Sequence, residues 1–334
     1  MRDLCLNFAE HYFRRHEGYS SRRLDRRYVH SQIRLCRMIR AEDHEFFTCC
    51  AFTACATSVV VGLSSGEVRV YSSRSQNDYA THQCYRCPVS YLKTSKNGSL
   101  LLTSNLSTSP VSKLWNIEWN EFSRQSNFFR QEYVEFSKLD EDKVLGTSGS
   151  RATIYDILSE RPITTFIPSI ANRCQRNKAT FSPCNEIILS DGVLWDARSR
   201  DEIHKFDLEN QPLSGVFHPN GYEIVSNTTV FDIRTLRVLR TVPELEEATV
   251  AFSPQNVIFG VSHIEGISTL RTLDSYDYSY ISSTDRMLRC IADFSVNKYG
   301  HQLVSVENFG ICSWYFDSTV RIYDVGKPPL EYIA

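Results

Sequence analysis

The sequence predicts an all-β fold, a propeller of seven four-stranded blades, on three observations. First, a strand-like segment ending in an aromatic or apolar residue and then Asp or a substitute occurs seven times: EVRVYS, SKLWN, ATIYD, GVLWD, TTVFD, STLRTLD and TVRIYD. Their last residues are Ser72, Asn116, Asp156, Asp196, Asp232, Asp274 and Asp324, spaced by 44, 40, 40, 36, 42 and 50. Second, an apolar strand precedes each, ending at Phe52, Leu92, Phe136, Phe181, Phe217, Phe252 and Phe294, mostly before a polar turn such as FSPCN or FHPNG. Third, nothing between residues 45 and 330 has the long amphipathic periodicity of a helix. Seven units near forty residues have the period of a WD-repeat propeller, in which stacked blades bury faces that no blade covers alone.

Taken in order, residues 1–27 form a basic N-terminal arm. The first 40 residues hold ten Arg against four acids, +6, which leaves −8 on the rest of a chain whose net charge is −2. Leu4, Phe8, His11 and Tyr12 share one face if residues 4–16 are helical; a frayed basic tail is the other reading. Residues 28–330 are expected to be the propeller. The segment YVHSQIRLCRMI, 28–39, supplies the strand that closes the seventh blade, because only ten residues follow Asp324. Blades 4 and 5 are compact: 15 residues separate their two markers, against 20 to 30 elsewhere, and Asp191-Gly192 suits a tight primed turn.

Composition excludes several function classes. No apolar run approaches 18 residues, so no membrane contact is expected. The N-terminal stretch lacks the apolar core of a signal peptide, and eleven cysteines then read as reduced thiols in the nucleus, the cytoplasm or both. Cys84 and Cys87 make a lone CxxC with no second pair at zinc spacing, so no metal and no cofactor is expected. Gly62-Leu63-Ser64-Ser65-Gly66 matches the G-x-S-x-G nucleophile pattern, but strands flank it where the elbow needs a helix. It reads as a hairpin turn, and the chain as a non-enzyme without a small-molecule substrate.

Two of the repeats share more than folding requires. VLWDARSR and TVFDIRTL both place an arginine two residues after the Asp, at Arg198 and Arg234. One reading is local, Arg198 pairing with Asp196 and Arg234 with Asp232. The other is functional, since neighbouring blades set equivalent turns side by side and two arginines then make one basic patch suited to a protein interface. Arg74 occupies the same slot in blade 1 but has neither the Asp nor the neighbour.

Trp-Asp-x-Arg at a blade end resembles the signature of the WD-repeat substrate receptors of cullin-4 ubiquitin ligases, which dock on the large damaged-DNA-binding adaptor. The likeness runs through FTCCAF, GSLLLTS, YVEFSK, GVLWDARS, IHKFD, SGVFHPNG and FDIRTL, covering blades 1 to 5, and more weakly through STLRTLD and RIYDVG. It implies that Trp195, Asp196 and Arg198 form one adaptor-docking motif and Phe231, Asp232 and Arg234 the second, where Phe replaces the usual Trp. It implies that the arm contacts the adaptor. The partners it implies are that adaptor, cullin-4 through it, and the substrate proteins presented for ubiquitination. Candidate substrate loops are 103–113 and 306–318, the latter carrying Phe309, Trp314, Tyr315 and Phe316. A plain WD-repeat scaffold and a nucleic-acid-binding propeller are the alternatives. The acidic body disfavours nucleic acid.

Overall fold

The middle strands of each repeat, such as SVVVGL, are apolar at nearly every position, so both faces of each sheet must be covered. A computed structural model describes residues 23–42, 45–73, 79–105, 107, 111–118, 121–172, 174, 177–206, 215–264, 267–287, 290–312 and 315–326. Its strands form seven four-stranded antiparallel sheets, each a meander in chain order except the last. The helical stretch assumed for residues 4–16 lies outside the described residues, as does Arg74.

Seven apolar clusters fill the seven interfaces between blades. The residue before each repeat's Asp or substitute is the plug. Trp115 packs into blade 1, Trp195 into blade 3, Phe231 into blade 4, Leu273 into blade 5 and Tyr323 into blade 6. Tyr71 closes the circle by packing against Val304, Val306, Val320 and Ile322 of blade 7.

The last blade is completed from the other end of the chain. Its three sequential strands are Cys290–Val296, Gln302–Cys312 and Tyr315–Val325, and the outer fourth is Ile33–Arg40. Ile33 lies opposite Val325 and Arg40 opposite Thr319, with a bulge between Leu35 and Arg37. The closing strand therefore starts later than residue 28, because Arg23–Ser31 is a helix. The helix is favoured by contacts that a strand at 28–31 would not make. Val29 and His30 are buried, and the His30 ring meets Phe259 of blade 6 edge-on at 6.0 Å. Arg26 Nη2 donates to Asp274 Oδ2 at 2.8 Å with both side chains buried, and Arg27 donates to Ser279 Oγ and the Tyr280 carbonyl, each at 2.6 Å. The end of the expected arm, Arg26 and Arg27, is thus seated on the ring itself.

Antiparallel order fixes the two rims. Turns after the first and third strands of a blade emerge on one rim, and turns after the second strand emerge on the other. The G-x-S-x-G segment is one of the latter, a hairpin between Ser58–Leu63 and Glu67–Ser72. Gly66 adopts φ +86°, and a Cβ there would stand 2.2 Å from the Tyr85 carbonyl oxygen, so the turn itself demands glycine.

Two stability outcomes are expected. Asp274→Ala leaves Arg26 buried without its carboxylate and should cost about 3–5 kcal/mol, read by denaturant unfolding. Removing residues 1–41 takes away both helix and closing strand and should lower the melting temperature of the whole ring; an unchanged melt would show that the ring closes without them.

Candidate docking site on the blade rim

Strands Val193–Asp196 and Thr229–Asp232 are the third strands of blades 4 and 5, and both end in the same turn. Arg200 N–H donates to the Asp196 carbonyl at 3.0 Å, and Leu236 N–H to the Asp232 carbonyl at 2.8 Å. Arg200 and Leu236 sit in the left-handed region at φ +74° and +57°. Each Asp side chain folds onto its own turn. Asp196 Oδ1 accepts the N–H groups of Arg198 and Ser199, both at 2.8 Å, and Asp232 Oδ1 accepts that of Arg234 at 2.8 Å. These bonds hold both carboxyls below the usual carboxylate range: backbone N–H donation from Ser199 leads for Asp196, and the Arg234 side chain leads for Asp232.

With the Asp tied to the turn, the residue two places on is pushed into solvent. Arg198 and Arg234 are both exposed, and blades 3 and 6 hold Leu158, 89% exposed, and Tyr276, 68% exposed, at the same position. Four consecutive blades thus project one large side chain each from equivalent turns of one rim.

The two arginines are not equivalent. Arg234 turns back on Asp232, with Nη2 to Oδ2 at 3.0 Å and Nε to Oδ1 at 3.3 Å, and its guanidinium lies over the Tyr222 ring at 5.1 Å. The local ion-pair reading therefore describes Arg234. Among the described residues Arg198 makes no side-chain hydrogen bond or ion pair. The neighbouring turns differ as well. Blade 5 offers the Tyr222 ring where blade 4 has Glu186, and the carbonyls of both accept the same backbone bond at 2.9 Å, from Ile233 and Ala197 respectively.

Trp195 and Phe231 lie beneath the rim. Trp195 packs on Phe166 at 5.6 Å and Phe231 on Phe206 at 4.4 Å. Trp195 Nε1 is buried without a hydrogen-bond partner, whereas Trp115 Nε1 donates to Thr103 Oγ1 at 2.8 Å. Trp195 thus acts as an apolar filler, and phenylalanine in its place in blade 5 is chemically consistent.

Of the residues named for substrate contact, Phe309, Tyr315 and Phe316 fall on the other rim. The 306–318 segment extends two eleven-residue strands and is a β-hairpin, not the open loop expected from its length. Phe309 is half-buried and pairs across to Asp317; Tyr315 and Phe316 are described only in their backbone, and Trp314 lies outside the described residues. The 103–113 segment is likewise partly strand, with Ser104 and Ser112 hydroxyls 2.8 Å apart at its base. Of the CxxC pair, Cys84 is buried, and Asn105 Nδ2 approaches the Cys87 sulfur at 2.9 Å. Among the described residues no group of three His, Cys, Asp or Glu could hold a metal ion, and no helix is long and apolar enough to cross a membrane.

Trp195→Ala should destabilise by about 3–5 kcal/mol, while Trp195→Phe, which strands no hydrogen bond, should cost under about 1.5 kcal/mol. In thermal melts Arg198→Ala should be silent, and Arg234→Ala should register only slightly through its lost ring and carboxylate contacts.

No family model matches the chain. Its curated relatives include protein mahjong of Drosophila melanogaster, 39% identical over 337 residues that cover 97% of this chain and 22% of the relative. The DDB1- and CUL4-associated factor homolog 1 of Caenorhabditis elegans is 31% identical over 284 residues, covering 81% and 16%. Its namesake from Arabidopsis thaliana is 27% identical over 338 residues, covering 93% and 18%. The chain spans about a fifth of the length of these relatives.

Proposed function

The chain is a homologue of one propeller-length stretch of mahjong and of two DDB1- and CUL4-associated factor 1 proteins, and on that premise we propose that it is a substrate-receptor propeller of a cullin-4 ubiquitin ligase. Within that family the quoted segments resemble the Vpr-binding protein. The proposed role is non-catalytic, in the nucleus, the cytoplasm or both. The rim bearing Arg198 and Arg234 docks on the DDB1 adaptor, which links the propeller to cullin-4, and the opposite rim presents substrate proteins.

The observation that carries the docking assignment is the exposed guanidinium of Arg198, which no local group of the described residues occupies. A planar five-donor group in that state suits carboxylate or carbonyl acceptors on a partner. Arg234 stands one blade on, its charge already shared with Asp232, and Asp196 and Asp232 set the turns that aim both side chains. Trp195 and Phe231 contribute by keeping blades 4 and 5 packed beneath those turns. Placing substrate on the far rim leaves both surfaces open at once. Phe309, Trp314, Tyr315 and Phe316 are the aromatic anchors proposed there.

Arg198→Ala with Arg234→Ala should weaken binding to purified DDB1 by at least about thirtyfold, the loss typical of an interface hot spot. The same double variant should melt with the parent to within the small Arg234 contribution. Binding at parental strength would assign both arginines to their own turns and remove this rim from the interface.

A further inference from the structure

Leu158 is the most exposed large apolar side chain among the described residues, at 89%. Nothing in the fold of blade 3 requires leucine there. The turn that carries it is built by its backbone and by Asp156, whose Oδ2 accepts the Ser159 N–H at 2.7 Å, while Glu160 takes φ +59°. Arg200, Leu236 and Tyr278 take the same left-handed conformation four residues after Asp196, Asp232 and Asp274, at +74°, +57° and +59°. The four turns therefore share one geometry, and the residue two places after the Asp stands at the same point of each. One exposed leucine by itself would mean little. Blade 3 has two more exposed aliphatic residues on this side. Leu139, in the turn between its first two strands, is 57% exposed, and Ile163, at the bulge of its fourth strand, is 47% exposed. The Ile157 N–H donates to the Asp142 carbonyl at 3.1 Å, which joins the turns bearing Leu139 and Leu158, and Ile163 follows in the strand that leaves the second turn.

From blade 3 to blade 6 the rim thus runs from an aliphatic group through Arg198 and Arg234 to Tyr276, which is 68% exposed. Tyr276 is held in place from below. Its N–H donates to Asp274 Oδ1 at 3.0 Å, and the Arg26 guanidinium lies 5.2 Å from its ring centroid. In blade 7 the same slot is Gly326, at φ +80°, which presents no side chain, so the series stops after blade 6. The two arginines stand in the middle of the series, with an apolar group at either end. Protein interfaces are assembled from these parts: arginine and aromatic side chains are enriched in them, and apolar anchors exclude water around the charged contacts.

We propose that Leu158, with Leu139 and Ile163 beside it, is an apolar anchor of the DDB1 docking surface and that Tyr276 is a second one. The interface then spans blades 3 to 6 with Arg198 and Arg234 at its centre. This inference rests on the docking assignment proposed above and adds what the partner must offer. It needs hydrogen-bond acceptors opposite blades 4 and 5, an apolar recess opposite blade 3 and a face for an aromatic ring opposite blade 6. The occupant is the adaptor assigned to the arginines because Leu158 lies on the same rim, one blade from Arg198 and in the same position of the same turn. The division of labour is physical: the arginines fix register through directed hydrogen bonds, and the leucine contributes affinity by leaving water.

The test is affinity for purified DDB1, with thermal melting, for the full 334-residue chain and its variants. Leu158→Gln adds no charge beside Arg198; it should melt with the parent and bind about tenfold or more weakly, the loss expected when a leucine is no longer buried. Leu158→Met keeps the apolar volume and should bind within about twofold of the parent. Tyr276→Ala should also lose about tenfold, and Tyr276→Phe should retain binding. Ile170 is 67% exposed in the connection after the fourth strand of blade 3, at the opposite rim, and Ile170→Gln should bind as the parent does. Parental binding by Leu158→Gln, with binding lost in the Arg198→Ala, Arg234→Ala variant, would overturn the blade 3 anchor and leave the docking assignment standing. Parental binding by Tyr276→Ala would remove the blade 6 anchor, and equal weakening by Ile170→Gln would overturn the assignment to this rim. An arginine variant that binds like the parent, or a parent that does not bind DDB1, would overturn the docking assignment and this inference together. Light scattering tests the other occupant: a self-associating parent that Leu158→Gln renders monomeric would assign the leucine to a second copy of this chain.

Discussion

Everything in this molecule depends on each blade covering its neighbour. A four-stranded sheet with apolar residues on both faces has no stable existence alone, and seven such sheets bury one another only as a closed ring. The last interface is the hard one, because its strands come from opposite ends of the chain. Ile33–Arg40 completes blade 7, and the helix before it crosses to blade 6, where Arg26 reaches Asp274 across 248 residues of sequence. The closing strand is thus locked to the sheet it completes and to the blade next door.

The same constraint explains the rim. Burying a large side chain at the end of each third strand places the residue after it at the start of the turn, and in blades 4, 5 and 6 that residue is an Asp that organises the turn. In blades 4 and 5 the Asp accepts backbone N–H groups of the turn; in blade 6, Asp274 accepts the Tyr276 N–H at 3.0 Å and also receives Arg26. With the Asp committed to folding, the side chain two places on is left outside. That position is therefore free to vary with function, and it holds Leu158, Arg198, Arg234 and Tyr276 in four successive blades.

Rim and axis differ in which charges the fold brings together. On the rim, charge is well hydrated, and the Arg198 guanidinium stands at little cost without a side-chain hydrogen bond among the described residues. Along the axis, Lys93, Lys138 and Asp293 come from separate blades and share one space, so the charge state of each depends on the others.

Much of the fold was legible in the sequence, because a repeat declares itself: the period, the aromatic plugs, the compact blades 4 and 5 and the Asp-x-Arg slots all follow from local patterns that recur. Trp195, Asp196, Phe231 and Asp232 could be assigned their packing and turn positions in the same way. What the tertiary structure alone decided lies outside the period. That residues 28–31 are helical depended on what Val29 and His30 touch on blade 6, and the Arg26–Asp274 pair joins residues no repeat relates. That Arg234 folds onto Asp232 and the Tyr222 ring while Arg198 does not is likewise not written in the repeat, and Lys93, Lys138 and Asp293 share one space only because separate blades point at one axis. Local sequence determines which strand and turn form, since those energies are short-range; which charges meet is set by closing the ring, which brings distant residues within reach of each other.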